Sequence, residues 1–514
     1  MRLLLLYFSV FLLGSLEALG SSGSPEIPRN IIYNYIQRNA NFSVNPCDDF
    51  HAHVCPNNGE NLKEEFFDTL TSEYSKLLDS VRSKYLKDDI LLEQDNKFID
   101  VLWKFFETEE AGDFCIDHKE SFSKITKLIV NSTLTGGRVP DWEKVPCYQH
   151  LKLIEKATSE RLVMIRLIFF GGIQGTIAAT VLGDTRARAL NLMETLRNHT
   201  REEFLKTPWA VNKNVVKKFV DALDAIPFAS VAEYREKVLK GLSQFKTSLA
   251  ECRRTLNIKV SYRTSELLCE AIALSDGWEA ADFPKLVYDF TELQSFHVLQ
   301  IIIGDVSTAQ NVADKFIYTS TEMTMLMNSD YPASIYGGLG FTFLHEFMHS
   351  FVFSLHDHDF LKLKADWTNR SSCVAEQNEK TCKIFPESRC LNSTFTFEED
   401  AADMAAYHLV WNAYLKTLTP GELNNDEEKK LFFYAFPALF CSKWKGAVIE
   451  DEHSSGQHRT NFMASQIPEF QELFKCKSTD RMVMNKAKKC VLYGEEAPEN
   501  KRLWIGEDHV AAFG

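Results

Sequence analysis

The stretch that most restricts the fold of this chain is His345-Glu346-Phe347-Met348-His349, set between Phe341-Thr342-Phe343-Leu344 and Ser350-Phe351. So apolar a run predicts a buried α-helix, and positions i and i+4 of a helix lie on one face about one turn apart. His345 and His349 can therefore present imidazole nitrogens to a single ion. Glu346 projects beside them, where a carboxylate reaches water next to a metal without being a ligand itself. The plainer alternative is two core histidines with an unrelated glutamate between them, and a third ligand would separate the two readings. Thr396-Phe397-Glu398-Glu399-Asp400-Ala401-Ala402-Asp403 offers one, at the start of a second helix predicted to run through Leu409 and Trp411 to Leu415. Glu399 and Asp403 again stand at i and i+4. Glu399 would complete a two-His, one-Glu zinc set with an open fourth position, and Asp403 would accept the second ring N–H of a ligand histidine. Thr396-x-x-Glu399 is also a capping box, in which Glu399 merely satisfies the first amide of its helix. The upstream histidine pair and the phase of Asp403 favour the ligand.

At 514 residues, 45% hydrophobic and 25% charged, the chain has the make-up of a globular protein with several domains' worth of core. A net charge of -14 argues against a phosphate-neutralising face, so no nucleic-acid partner is expected. Met1-Arg2, the apolar run at 3–13 and Ala18-Leu19-Gly20 read as a secretory signal peptide over 1–20. That run is shorter than a bilayer span requires, so the exported chain is expected to be secreted, extracellular and without a membrane span after signal removal. Asn41, Asn131, Asn198, Asn369 and Asn392 each open an Asn-x-Ser/Thr triplet and are candidate glycosylation sites. Twelve cysteines in an exported chain suggest up to six disulfides, and their spacing does not decide the pairing.

Along the chain, residues 21–45 form a polar lead-in without strong periodicity. Residues 46–314 carry apolar spacings of three and four, and read as a mainly helical cap lobe; 315–514 hold the zinc motif and read as the catalytic lobe. Met323, Met325 and Met327 alternate as on a strand with one buried face, directly before the zinc helix. Such an edge can take up an extended peptide by strand addition, although an internal strand is the plainer reading. Tyr336-Gly337-Gly338-Leu339-Gly340 is expected to break structure before the His345 helix, which would end near Leu355. The fold class expected is mainly α (α+β).

Several of these stretches, in order, resemble the neprilysin and endothelin-converting-enzyme family of zinc metallopeptidases. They are Pro46-Cys47-Asp48-Asp49-Phe50, Tyr336 to Gly340, the His345 motif, Glu399-x-x-Ala402-Asp403, Phe432-Phe433 with Cys441, and Asp451-Glu452-His453-Ser454 with Arg459. The resemblance implies a thermolysin-like catalytic lobe under a shortened helical cap lobe, with one zinc per chain on His345, His349 and Glu399. It further implies Glu346 as general base, Asp403 orienting His345, and His453 with Arg459 stabilising the tetrahedral intermediate and gripping the substrate backbone. A developing oxyanion does need donors aimed at it, and an imidazole and a fixed guanidinium are suitable ones; taken alone, both residues read as solvent-exposed loop positions. The family also implies Cys47 paired with Cys476, Cys55 with Cys441 and Cys373 with Cys490.

Three departures touch recognition more than chemistry. Where the family has an Asn-Ala-Phe/Tyr substrate strand, just before Tyr318, this chain reads Asp314-Lys315-Phe316-Ile317 and offers no asparagine. Leu344 replaces a small residue, and Ser350-Phe351-Val352 replaces Gly-Phe-Asp. The helical part is much shorter than the family's. The function expected is a secreted zinc metalloendopeptidase that hydrolyses internal bonds of oligopeptides before hydrophobic residues. The alternative is a catalytically weak zinc-containing peptide- or partner-binding protein; a purely structural zinc is disfavoured because structural sites are closed by four protein ligands.

Overall fold

The computed structural model describes residues 28–55, 70, 72–77, 104–131, 144–156, 165, 169–170, 173, 182–207, 213–226, 228–229, 235–255, 262–281, 309–312, 316–352, 364–388, 390, 392–393, 395–441, 453–483 and 490–494. The expected signal peptide over 1–20 lies outside them. Two compact units emerge, and they are not the consecutive segments divided at 314/315 that the sequence suggested. One draws on Ser75–Leu182 and Ser230–Val306, the other on Ile27–Tyr74, Gly183–Ala229 and Ser307–Gly514. In chain order the elements are α1 (Ile31–Asn39), α2 (Phe50–Val54), α3 (Glu109–Asp117), α4 (Lys119–Asn131), α5 (Cys147–Lys156), α6 (Gly183–Lys206), α7 (Lys213–Ala225), β1 (Phe228–Ala229), α8 (Arg235–Thr255), α9 (Tyr262–Ala280), β2 (Ala309–Val312), β3 (Phe316–Thr319), α10 (Phe341–His349), α11 (Lys364–Ile384), α12 (Phe397–Thr417), α13 (Asp426–Ala438), α14 (Gly456–Gln466) and α15 (Pro468–Phe474). The protein is mainly α with one small sheet.

In the first unit, α3, α4, α5, α8 and α9 are described. On α4, Phe122, Ile125 and Ile129 fall on one face and are fully buried, as helical spacing requires. Gly241 of α8 and Gly277 of α9 face each other: a Cβ on Gly241 would lie 2.7 Å from the Gly277 carbonyl oxygen, and one on Gly277 would lie 2.9 Å from that of Gly241. Only glycine permits that backbone approach. Disulfides tie α3 to α5 through Cys115–Cys147 and α8 to α9 through Cys252–Cys269. Among the described residues of this unit no cluster of metal-ligating side chains occurs.

The second unit is built around α10 and α12, which pack on each other. Phe341, Phe343, Leu344, Phe347 and Met348 are at most 1% exposed, so α10 is buried on nearly every side. Ala401, Ala402, Ala405 and Ala406 give α12 a small-residue surface, and its Tyr407 and Trp411 rings pack against Phe432 and Phe433 of α13. β3 is the middle strand of the sheet, parallel to β1 and antiparallel to β2. β2 and β3 both contact α10.

Four local expectations change. The polar lead-in contains α1, whose Ile31, Ile32, Tyr35 and Ile36 are buried at helical spacing. The strand before the zinc helix covers only Phe316–Thr319; Met323, Met325 and Met327 lie in a helical turn (Thr321–Thr324) and a 3₁₀ turn (Met325–Met327), all buried, with no exposed alternate face. The glycine-rich stretch does not interrupt the helix. Pro332–Ile335 is helical, Tyr336–Gly340 forms a π turn, and α10 follows without a break. The glycines are there for contact: a Cβ on Gly337 would sit 2.3 Å from the Phe432 carbonyl oxygen of α13, and one on Gly338 would meet Ile32 of α1. Finally, α10 ends at His349, with Phe351 and Val352 N–H donating back to the Met348 carbonyl.

Four disulfides lie within this unit: Cys47–Cys476, Cys55–Cys441, Cys373–Cys490 and Cys382–Cys390. The first three are those the resemblance implies. Cys47–Cys476 and Cys55–Cys441 span 429 and 386 residues and are nested. With the inner bridge closed, the outer one adds a loop made only of 47–55 and 441–476. Chain entropy then assigns the outer bridge roughly 4 kcal/mol, less than its span suggests. The Cys47→Ala/Cys476→Ala double variant should lose about that much in urea unfolding followed through the buried Trp411; an unchanged midpoint would contradict the nesting argument.

Candidate metal centre

Helix α10 carries His345, Glu346 and His349, and α12 carries Glu399 and Asp403. Their packing brings the two sets together. His345 Nε2 stands 3.1 Å from His349 Nε2 and 3.2 Å from Glu399 Oε2, and His349 Nε2 stands 3.4 Å from Glu399 Oε1. Glu399 is not a cap: Thr396 makes no side-chain bond to the helix amides and donates its hydroxyl to Asp400 instead, at 2.6 Å. His345 and Glu399 are buried, while Glu346 and His349 are half-buried.

Behind these residues lies a buried ionic layer. Asp403, 1% exposed, receives Arg459 Nε at 2.6 Å and Nη2 at 2.7 Å, and its Oδ1 lies 2.8 Å from His345 Nδ1. Arg459 is supplied by α14 and also stacks over the Phe440 ring, 4.2 Å from its centroid. Ser455 caps α14 by accepting from His458 N–H at 3.2 Å, which directs the first turn of that helix toward α12. His453 precedes the cap and extends Nε2 to within 3.1 Å of Glu399 Oε2. His345, His349, Glu399, Asp403, His453 and Arg459 thus form one connected cluster, with Glu346 next to His345 on α10. Arg459 is buried and bound to Asp403, whereas taken alone it reads as an exposed loop position.

Charge follows from this arrangement. Burial alone would lower the His345 pKa, but Asp403 and then Glu399 outweigh it and push it up to about 10. His349 is pushed down to about 4 by burial and by the neighbouring His345 charge. Glu399 and Asp403 are held below the usual carboxylate range; burial opposes this, and His345 with His453 for the one, Arg459 with His345 for the other, prevail. Two carboxylates concentrated around a buried imidazole form an environment that stabilises a cation.

The donors fit zinc. Ligands on a tetrahedral ion with bonds of ~2.0–2.1 Å stand about 3.3 Å apart, and the three separations here bracket that value. Two imidazoles and a carboxylate are a zinc-type set, and Asp403 behind His345 is the usual outer carboxylate that fixes the metal-facing nitrogen. Two other groups of ligand-type atoms occur among the described residues, Cys382/Cys390/His458 and Cys47/Cys476/Asp480. In both, the sulfurs are committed to disulfides.

Of the glycosylation candidates, Asn198 and Asn392 are exposed, and Asn41 is half-buried with its side-chain oxygen accepting from Ser43. The hydroxyl of Thr200, in the Asn198 triplet, is buried within α6 and donates to the Leu196 carbonyl. The side chains of Asn131 and Asn369 lie outside the described residues. β2 was not anticipated. It is an edge strand among the described residues, contacts α10, and carries Asn311 paired in register with Ile317.

A mainly α unit that presents His-Glu-x-x-His and a downstream Glu-x-x-x-Asp on two packed helices defines a metallopeptidase-type site. Sequence comparison agrees: residues 323–490 match the model of peptidase family M13, and over this segment the chain is similar to that family. Neprilysin-3 of Drosophila melanogaster is 27% identical over 178 residues, 31% of this chain and 22% of that protein. Human neprilysin is 26% identical over 178 residues, 30% of this chain and 23% of its own length. The match therefore takes in less than a quarter of each of these curated relatives. A solved structure, PEPO from Lactobacillus rhamnosis HN001, overlays with a TM-score of 0.40 at 15% identity, covering 75% of this chain and 56% of that one; no residue role rests on it.

Two measurements check the site. Glu399→Ala should lose most of its zinc while keeping its helical circular dichroism, and undiminished zinc would remove Glu399 from the ligand set. The second concerns His458, which is wholly buried on α14 and pushed down from 6.5 to about 4 by burial, against the pull of Asp403. Between these values the unfolded chain binds more protons, so stability rises with pH there. The neutral imidazole's contribution is complete above 6.5 and lost as pH falls through about 4. His458→Leu should flatten the fall in Tm across that window; an identical slope would assign it to another group.

Proposed function

We propose that this chain is a secreted zinc endopeptidase that hydrolyses internal bonds of oligopeptides. The observation that carries the reading is the joint placement of His345, His349 and Glu399 at zinc-ligand spacing with Glu346 next to His345 and the Asp403–Arg459 pair behind. Zinc held by those three side chains, one ion per chain, supplies Lewis-acid polarisation of a carbonyl and acidification of water. Glu346 accepts the proton of the attacking water and passes it to the leaving amine. His453 donates to the developing oxyanion, and Arg459, anchored on Asp403, adds fixed positive charge nearby. Asp403 holds the His345 tautomer.

The edge of β2 is the place for the peptide backbone. An extended substrate can add there as a further strand, beside α10 and its motif. Asn311 is this chain's candidate for the asparagine that the family uses to fix the peptide. Cleavage before hydrophobic residues is carried by the family resemblance. Export is supported by six disulfides, which persist in oxidising compartments. Among the described residues, no helix is long and apolar enough to cross a membrane.

Mass-spectrometric mapping of a mixed peptide library, with and without chelator, tests the reading. Cleavage that stops with chelator and returns with zinc is expected. Tight binding without any cleavage would favour the peptide-binding alternative. Glu346→Gln should keep its zinc and lose at least ~10²-fold in turnover; retained turnover would remove it as the base. Asn311→Ala should raise KM about 10- to 100-fold with kcat little changed, as a lost hydrogen bond of roughly 1–3 kcal/mol requires. An equal fall in kcat would place Asn311 in the chemistry instead.

A further inference from the structure

The imidazole of His453 reaches Glu399, yet its side chain is 48% exposed, so packing around the ring does little to define its place. The anchoring of the backbone beside it contributes to that placement. The next residue, Ser454, is 5% exposed and donates its hydroxyl to Asp400 Oδ2 at 3.2 Å. Asp400 is adjacent to Glu399 on α12, so two contacts run side by side between the same two segments: His453 with Glu399, and Ser454 with Asp400. The second is the buried one.

Asp400 is itself held from three directions. It is 1% exposed, and the same Oδ2 receives Thr396 Oγ1 at 2.6 Å from the turn before α12 and the side-chain amide of Asn378 from α11. Thr396 and Asn378 are buried too. An oxygen that gathers donors from α11, from the start of α12 and from the segment entering α14 acts as a fixed post for that segment. A buried carboxylate costs desolvation, and Thr396 alone would not need one. Ser455 adds a second tie, donating to the Ser388 carbonyl at 2.8 Å.

We propose that Asp400 is a positioning residue for the reaction, one that through Ser454 sets His453 against the metal-binding carboxylate. The inference rests on the peptidase reading for its catalytic consequence, but not for the placement itself. Asp400 touches no substrate; its effect runs through the Ser454 hydroxyl.

The test uses the zinc-loaded full chain and a peptide from the library that it cleaves, comparing Asp400→Ala, Asp400→Asn, Ser454→Ala and the Asp400→Ala/Ser454→Ala double variant. Ser454→Ala removes only the tie and serves where Asp400→Ala fails to fold. Asp400→Ala and Ser454→Ala should each lower kcat about tenfold or more with KM within about twofold, as expected of a misplaced catalytic group. Their zinc content should be unchanged. The double variant should be no worse than Asp400→Ala, because residues acting through one contact are not additive. Asp400→Asn, which keeps an acceptor oxygen, should recover most of kcat. Hydrogen–deuterium exchange over residues 453–459 should quicken in Ser454→Ala and not in Asp400→Asn. Wild-type kcat and wild-type exchange in Ser454→Ala would overturn the proposal, as would an Asp400→Ala variant whose losses are confined to zinc or stability. If the wild-type protein cleaves nothing, the peptidase reading fails separately, and the exchange comparison still decides whether Asp400 holds this segment.

Discussion

The buried carboxylate of Asp403 is the point on which the second unit's site depends. It accepts both Arg459 bonds and stands against His345 Nδ1, so one side chain joins α10, α12 and α14. Asp403 and Arg459 are both buried, and the desolvation of two such charges is repaid only with geometry as good as this two-point contact. Removing either partner would strand a buried charge at a cost of roughly 3–5 kcal/mol. The pair therefore does two jobs: it orients an imidazole toward the metal position and fixes how α14, with His453 just before it, approaches α12.

The His345, His349 and Glu399 cluster was legible because its information is local. His345 with His349 and Glu399 with Asp403 each sit one helical turn apart, and that spacing survives whatever the rest of the chain does. The ambiguity over Glu399 was local too. It is resolved by Thr396, whose hydroxyl goes to Asp400 and leaves Glu399 free to face the histidines. α1 was equally readable, since Ile31, Ile32, Tyr35 and Ile36 follow helical spacing, but the surrounding polar residues masked it.

Other features depend on tertiary contacts that no window of sequence contains. Gly337 and Gly338 read as helix breakers, yet they stand in a continuous helical path: the α13 backbone approaches Gly337 too closely for a Cβ, and the tip of the Ile32 side chain from α1 lies against Gly338. Met323, Met325 and Met327 alternate along the sequence, but methionine is unbranched at Cβ and has no strand preference to enforce that pattern. They fill the core from helical turns instead. The division into units was hidden for a similar reason. Ile27–Tyr74 and Gly183–Ala229 join Ser307–Gly514 through contacts distant in sequence, and the nested bridges from Cys47 and Cys55 are the covalent trace of that arrangement.

The proposed site holds a zinc ion on two imidazoles and one carboxylate, with a fourth position open. Zinc K-edge X-ray absorption on the zinc-loaded protein measures this directly. Four light-atom neighbours are expected at about 2.0–2.1 Å, two of them with the outer-shell signature of imidazole. A sulfur neighbour near ~2.3 Å, or a protein that retains no zinc at all, would contradict it.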